Sequence, residues 1–324
     1  MRRILTIDGG GVRGIIPAVV LASLERATGR PVRESFDFVA GTSTGAVIAA
    51  AVSAGIPAKR LVGLYATRSP DVFRSAPLLG GLRRLLTGTL YDTERLHRLI
   101  GDELGPEAQK WRLNDSPVDL LITAKRIDDG MPWYFVRDRP ANSCRAGHTR
   151  IVDAVTASAA APTYFKPWRI AGIGELIDGG IGVAGNPVYQ ACVEAFEYTD
   201  AYDPADTVII SLGTGILLRR ERPRWLWPWI GWLLSELLRS PSEQQTELVH
   251  RHFSATPMYR IDIALRHEIG LDAVDRLDEL REVGDELASS VDWPSVLAGR
   301  EAPSRITGDR THPRDYTRPG ADPG

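Results

Sequence analysis

The sequence predicts an α/β fold, a three-layer α/β/α arrangement around a central, mostly parallel sheet. Two observations carry that reading. Short apolar runs alternate with stretches of helical spacing through the first half of the chain, and the runs end in glycine-rich turns. Such alternation requires crossover connections, which place successive strands side by side in the same direction.

The first unit is "RILTI", then "DGGGVRG", then "IIPAVVLASLERATG", a helix with a proline in its first turn and Gly29 at its end. "FDFVA" repeats the plan, with a strand up to Ala40, a glycine-flanked turn and an Ala-rich helix closed by Gly55. Residues 58–115 read as largely helical, "TERLHRLIGDEL" being the clearest amphipathic segment. "VDLLITAKRI" and "PWYFVRD" are two β-like runs joined across "DDGM", where Asp129-Gly130 signals a hairpin. "IVDAVTASAAA" is a small-residue helix stopped by Pro162, "TVIISLGTG" is a buried strand entering a glycine turn, and a helix near 272–289 closes the fold. One domain is expected over residues 1–300, with a Trp-rich segment at 218–241 inside it. The tail at 301–324, rich in Pro, Gly, Asp and Arg, is expected to be loose.

Composition narrows the function classes. A chain of 324 residues that is 43% hydrophobic and 25% charged can bury a core, and a net charge of −2 with mixed signs argues against a nucleic-acid partner. Cys144 and Cys192 are the only cysteines, too few for a disulfide framework and without metal-site spacing, which fits a reducing cytosol. No apolar h-region follows Arg2 and Arg3, and no stretch approaches the roughly 20 apolar residues of a membrane span. The expectation is a cytoplasmic protein whose membrane contact is confined to the surface.

Three turns could carry chemistry. Gly9, Gly11 and Gly14 satisfy a G-x-G-x-x-G dinucleotide fingerprint between a strand and a helix. Against a nucleotide, Asp8 puts a carboxylate where pyrophosphate would approach, and the next strand enters another glycine turn instead of ending in an acid for a ribose. "GTSTG", residues 41–45, has the G-x-S-x-G form, so Ser43 is either an exposed nucleophile at a helix N-terminus or a cap for the helix at 44–54. "GELIDGG", residues 174–180, ends a short apolar run in Asp178, which is either a base or an ordinary Asp-Gly turn.

A serine nucleophile needs a base, and none of the six histidines, at 97, 148, 250, 252, 267 and 312, stands at a strand end followed by a turn. Taken together, the turns fit acyl transfer: Ser43 as nucleophile, Asp178 as base, and the amides of Gly9, Gly10 and Gly11 as oxyanion donors. Strand ends of a parallel sheet point to one edge, so all three turns are expected to meet there.

The sequence resembles the patatin-like phospholipases. "DGGGVRG", "GTSTG" and "DGG" stand in that family's order, and "ASAAAPTYFKP", Asn186-Pro187, "SLGTG" and "YRIDIAL" extend the likeness from about Ile4 to Ala288. The resemblance implies a lipid acyl hydrolase with a Ser43–Asp178 dyad, an oxyanion loop at Gly9, Gly10 and Gly11 braced by Arg13, and no metal or cofactor. It also implies a phospholipid or other acyl-ester substrate. A ligand-activated effector of the same chemistry and a nucleotide-binding protein built on the glycine loop stand as alternatives.

"RPRWLWPWIGWLLSELLRSP", residues 222–241, holds Trp225, Trp227, Trp229 and Trp232, with Arg219, Arg220, Arg222, Arg224 and Arg239 around them. This is the composition of an interfacial membrane anchor or lid, and equally of a helix buried on the core or in a dimer interface.

Overall fold

The computed structural model describes residues 1–73, 88–142, 146–182, 185–217, 229, 242–300 and 305–306. Its strands β1 (Arg2–Ile7), β2 (Phe38–Thr42), β3 (Asp119–Arg126) and β4 (Pro132–Phe135) fall on the expected runs, and so does β7 (Thr207–Leu212). The others are β5 (Trp168–Ile170), β6 (Gly174–Asp178), β8 (Ile216–Leu217), β9 (Met258–Ile261), β10 (Ala264–Leu265) and β11 (Arg305–Ile306). The helices are α1 (Ile15–Thr28), α2 (Thr44–Ser53), α3 (Ala58–Val72), α4 (Thr93–Ala108), α5 (Ile151–Ser158), α6 (Val188–Glu197), α7 (Leu277–Ser289) and α8 (Trp293–Leu297), with a further helical stretch over 242–252.

Among the described residues the main sheet has nine strands in the order β11-β9-β7-β1-β2-β3-β6-β5, with β4 also paired to β3. From β11 to β3 every pairing is parallel. The crossover rhythm accounts for this, because α1 connects β1 to β2 and α2, α3 and α4 lie between β2 and β3. The β3–β4 hairpin turns across Asp129-Gly130 as expected. Arg305–Ile306 pairs with β9 inside the stretch expected to be loose, and the rest of the 301–324 tail lies outside the described residues.

The period-2 alternation of the strands separates two cores. On β1, Leu5 and Ile7 face a large apolar layer built from α1, α2, α4, α5 and α7. Ile4 faces the opposite side, where it packs with Val188, Ala191, Cys192 and Ala195 of α6 and with Val249. The sheet between these two helical layers is the three-layer architecture expected. Helix α1 ends where its sequence says it should: Gly29 is left-handed at φ 67° and donates its N–H to the Glu25 carbonyl at 2.9 Å.

One pairing differs from expectation and positions the site. Strand β6 runs antiparallel to β3, with Asp178 opposite Ala124. Residues Ile122 and Thr123 pair with both β2 and β4, so those two strands occupy opposite edges of β3. Ala124 pairs with both β4 and β6, so β6 shares an edge with β2. The two strands therefore lie end to end: β2 finishes with Thr42 opposite Thr123, and β6 arrives from the other direction to finish with Asp178 opposite the next residue. A parallel sheet with aligned strand ends is not the reason Asp178 reaches the site. The reason is a head-on meeting of two strands on one edge of β3.

Candidate active site

Strand β2 is buried throughout and stops at Thr42, and α2 begins at Thr44. Between them Ser43 takes φ 54° and ψ −121°, one of two non-glycine residues with positive φ among those described. Left-handed backbone of this kind is strained for an L-residue with a side chain and is held by its surroundings. Two such restraints act on Ser43. A Cβ at Gly45 would run into the Ile7 carbonyl, so only glycine lets α2 start this close to β1. The Ser43 N–H is donated to the Ser158 hydroxyl at 2.8 Å.

The capping reading of Ser43 does not hold, because its side chain makes no hydrogen bond to the helix N-terminus. It stands beside the Asp178 carboxylate instead, near enough to draw its pKa down, and that carboxylate accepts the Gly180 N–H at 2.7 Å. Asp178 is 3% exposed, and that burial pushes its carboxyl up to about 6 against the opposing pull of Ser43 and the Gly180 N–H. Its own N–H is donated to the Ala160 carbonyl at 3.1 Å. The segment 158–160 thus holds the main chain of both residues. The glycine after Asp178 is required as well, since a Cβ at Gly179 would collide with Thr123 where β6 meets the end of β2.

The glycine loop lies against Ser43: a Cβ placed on Gly9 would sit 3.3 Å from that of Ser43. The amides of Gly9, Gly10 and Gly11, expected as oxyanion donors, differ in what they already bond. The Gly9 N–H is already donated to the Gly185 carbonyl at 3.0 Å and cannot face an oxyanion. Gly10 and Gly11 open a 3-10 turn, and among the described residues their N–H groups have no hydrogen-bond acceptor. The loop is pinned by Thr214, whose hydroxyl donates to the Gly9 carbonyl at 2.8 Å, and by the Val12 N–H, donated to the Leu271 carbonyl at 2.8 Å. Arg13 donates from Nε to the Gly10 carbonyl at 3.3 Å.

Asp8 binds the side chains of Arg260 and Ser242. Its two oxygens accept from the Arg260 guanidinium at 2.9 and 2.6 Å, and Oδ2 also accepts from the Ser242 hydroxyl at 3.0 Å. Arg260 bonds Asp262 as well, at 2.8 Å, and all three residues are buried. With Asp8 committed to this cluster and Gly9 to Gly185, the loop lacks the open row of amides that a pyrophosphate needs.

A cavity of about 170 Å³ opens from Ser43, Asp178, Gly10 and Gly11. Its walls are apolar, drawn chiefly from α2, α3, α4 and the segment 159–165. None of the five histidines among the described residues forms a hydrogen bond to Ser43 or Asp178. His97, for example, bonds Asp153 at 3.0 Å and stacks on Trp168. Among the described residues no group of three or more His, Cys, Asp or Glu could hold a metal, and no helix is long and apolar enough to cross a membrane.

The family model for patatin-like phospholipases matches residues 5–192, which contain the glycine loop, Ser43 and Asp178. The chain belongs to the patatin-like phospholipase family. This patatin-like chain is 30% identical over 223 residues to a "cGAMP-activated phospholipase" of Escherichia coli (strain TW11681), a match covering 65% of this chain and 62% of the relative. A protein of the same description from Vibrio cholerae is 30% identical over 230 residues, covering 65% and 64%. The chain therefore spans less than two thirds of the length of these two curated relatives. "Patatin-like protein 2" of Arabidopsis thaliana is 29% identical over 343 residues, covering 88% of this chain and 82% of the relative.

Some members of this patatin-like site were not singled out individually. Ser158 lies in "ASAAAPTYFKP" and Arg260 in "YRIDIAL", segments read only for their family likeness, and Gly185 comes from a part of the chain far from the loop it holds. Of the tryptophans singled out, Trp225, Trp227 and Trp232 lie outside the described residues, and Trp229 is half-buried.

Proposed function

We propose that the chain is a lipid acyl hydrolase acting on carboxylic esters through an acyl-Ser43 intermediate. One observation carries this reading: the buried Asp178 carboxylate and Ser43 stand together at the mouth of an apolar cavity, close enough for Ser43 to lower the carboxyl pKa, beside the unengaged amides of Gly10 and Gly11.

In the proposed reaction Asp178 takes the Ser43 hydroxyl proton as Oγ attacks the ester carbonyl carbon. The carbonyl oxygen gains the negative charge and accepts hydrogen bonds from Gly10 and Gly11, donors of a kind worth several kcal/mol in the transition state. The C–O bond then breaks, and the leaving alkoxide takes the proton back from Asp178. Water, deprotonated by the same carboxylate, attacks the acyl-serine carbonyl; the acyl–Oγ bond breaks, Ser43 Oγ takes the proton back from Asp178, and the fatty acid is released. A carboxylate at its ordinary pKa is a weak base toward a hydroxyl; one held near 6 is better matched to neutral pH. Arg13 is assigned the bracing of the loop through the Gly10 carbonyl.

The substrate proposed is a membrane phospholipid or a related acyl ester, met at a lipid surface through the segment carrying Trp225, Trp227, Trp229 and Trp232. Incubation with phospholipid vesicles tests both parts. Free fatty acid is expected from the wild type and less than about 1% of that rate from Ser43→Ala or Asp178→Asn, the scale of loss seen when a nucleophile is removed. Substantial release by either folded variant defeats the dyad. The double variant Trp227→Ser, Trp229→Ser is expected to lose more hydrolysis on vesicles than on a short soluble ester, and equal losses defeat the docking role.

A second reading, hydrolysis switched on by a ligand, is favoured by the names of the two bacterial relatives. Vesicle hydrolysis that rises at least tenfold on adding a cyclic dinucleotide supports it; an unchanged rate removes it.

A further inference from the structure

The cavity has a direction. Thr44, Val47 and Ala51 line it from α2, and residues three and seven positions apart share one face of a helix. Eight residues from Ser43 to Ala51 correspond to about 12 Å of helix rise, so the cavity runs inward from the site along α2. Its other walls agree. At the site end stands Phe73, which packs on Phe165 and Tyr91. Helices α3 and α4 pass in opposite directions, since Arg95 pairs with Asp71 whereas Glu103 pairs with Arg60 and Arg68. Leu61, near the start of α3, and Leu104, near the end of α4, therefore line the same end of the cavity, opposite the Asp71–Arg95 end. Ile56 joins them there, with its N–H donated to the Ala51 carbonyl at 2.9 Å.

The far end is thus formed by Ala51, Ile56, Leu61 and Leu104, all buried. The charged side chains on the wall, Arg68 and Glu103, are bonded to each other at 3.1 Å and leave no isolated charge for a headgroup. An aliphatic chain matches such a space. A polar or charged group inside would lose its water without gaining partners.

We propose that this cavity takes the acyl chain of the substrate and that Ala51, the smallest side chain of the far end, sets the chain length accepted. The inference rests on the acyl-hydrolase reading and deepens it. The scissile carbonyl lies at Ser43 and Asp178, the chain runs along α2, and the headgroup stays outside. Substrates are then esters of extended fatty acyl chains, ranked by how far the chain reaches before it meets Ala51. A larger residue at position 51 fills the end of the chamber, and alanine to leucine or phenylalanine keeps a residue compatible with a helix.

The test uses the whole chain and p-nitrophenyl esters from acetyl to dodecanoyl. In the wild type kcat/KM is expected to rise by up to about fourfold per added methylene, the worth of burying a CH₂, and then to level off. Ala51→Leu and Ala51→Phe are expected to bring the plateau to shorter chains and to lower the dodecanoyl-to-butanoyl ratio of kcat/KM at least tenfold. Leu104→Ala, which enlarges the same end, is expected to move the plateau the other way. Identical length profiles in all three variants and the wild type, with hydrolysis still dependent on Ser43, overturn the chamber and leave the dyad standing. Hydrolysis that persists in Ser43→Ala overturns the acyl-hydrolase reading itself.

Discussion

At the residue scale the proposed mechanism depends on Asp178 being buried yet ionised. Burial raises its pKa to about 6, and a base must be deprotonated to act. The kcat/KM for a soluble ester is therefore expected to rise about tenfold per pH unit up to about 6 and to flatten above it. A profile without a break between about pH 5 and 7 contradicts the assignment of Asp178 as base. Stability moves in the opposite sense. A carboxyl whose folded pKa is raised costs nothing below its unfolded pKa of 3.8, and it lowers stability as pH rises toward and through 6. Asp178→Asn is thus expected to be more resistant to urea than the wild type at pH 8, by on the order of 1–3 kcal/mol, and about equal to it at pH 4. Denaturation curves at the two pH values check this. Ser43 and Asp178 were legible in the sequence because glycines flank both, and close backbone approach leaves few other residues that fit. The commitment of the Gly9 N–H was not legible. Its acceptor is a backbone carbonyl from a remote turn, and any residue at 185 carries a carbonyl.

At the element scale, the site exists because β2 and β6 stop against each other on one edge of β3. Gly179 marks that junction, where a Cβ would strike Thr123. Gly179→Ala is expected to push the end of β6 outward and lower kcat/KM roughly a hundredfold, since displacements of about 1 Å in a catalytic group can cost that much. KM should change far less than kcat. Activity within threefold of the wild type means that the junction does not position the base. The direction of β6 could not be read from "GELIDGG", because an apolar run of this length looks the same in either orientation. Direction is set by the tight turn from β5 to β6, a short strand whose "WRI" gives no alternation to recognise. The longer crossover units were legible because both a strand run and a helical period announced them.

Across the whole molecule, the glycine loop is tied to the far side of the sheet through Asp8 and Arg260. A buried guanidinium between two buried carboxylates is retained only when its hydrogen bonds are satisfied, and here it bonds Asp8, Asp262 and Ser211. Arg260→Met is expected to lower the unfolding free energy by about 3–5 kcal/mol, the scale for stranding buried charges, and to loosen the glycine loop. A loss under about 1 kcal/mol in urea denaturation would show that the cluster is not holding the loop.

Whether Ser43 is a nucleophile activated by Asp178 is decided by covalent labelling. Wild-type protein treated with a fluorophosphonate and mapped by peptide mass spectrometry is expected to carry one phosphonyl adduct, on Ser43. Ser43→Ala is expected to carry none, and Asp178→Asn to react at least a hundredfold more slowly. An unlabelled wild type, a label on another residue, or equal labelling of Asp178→Asn would contradict the claim.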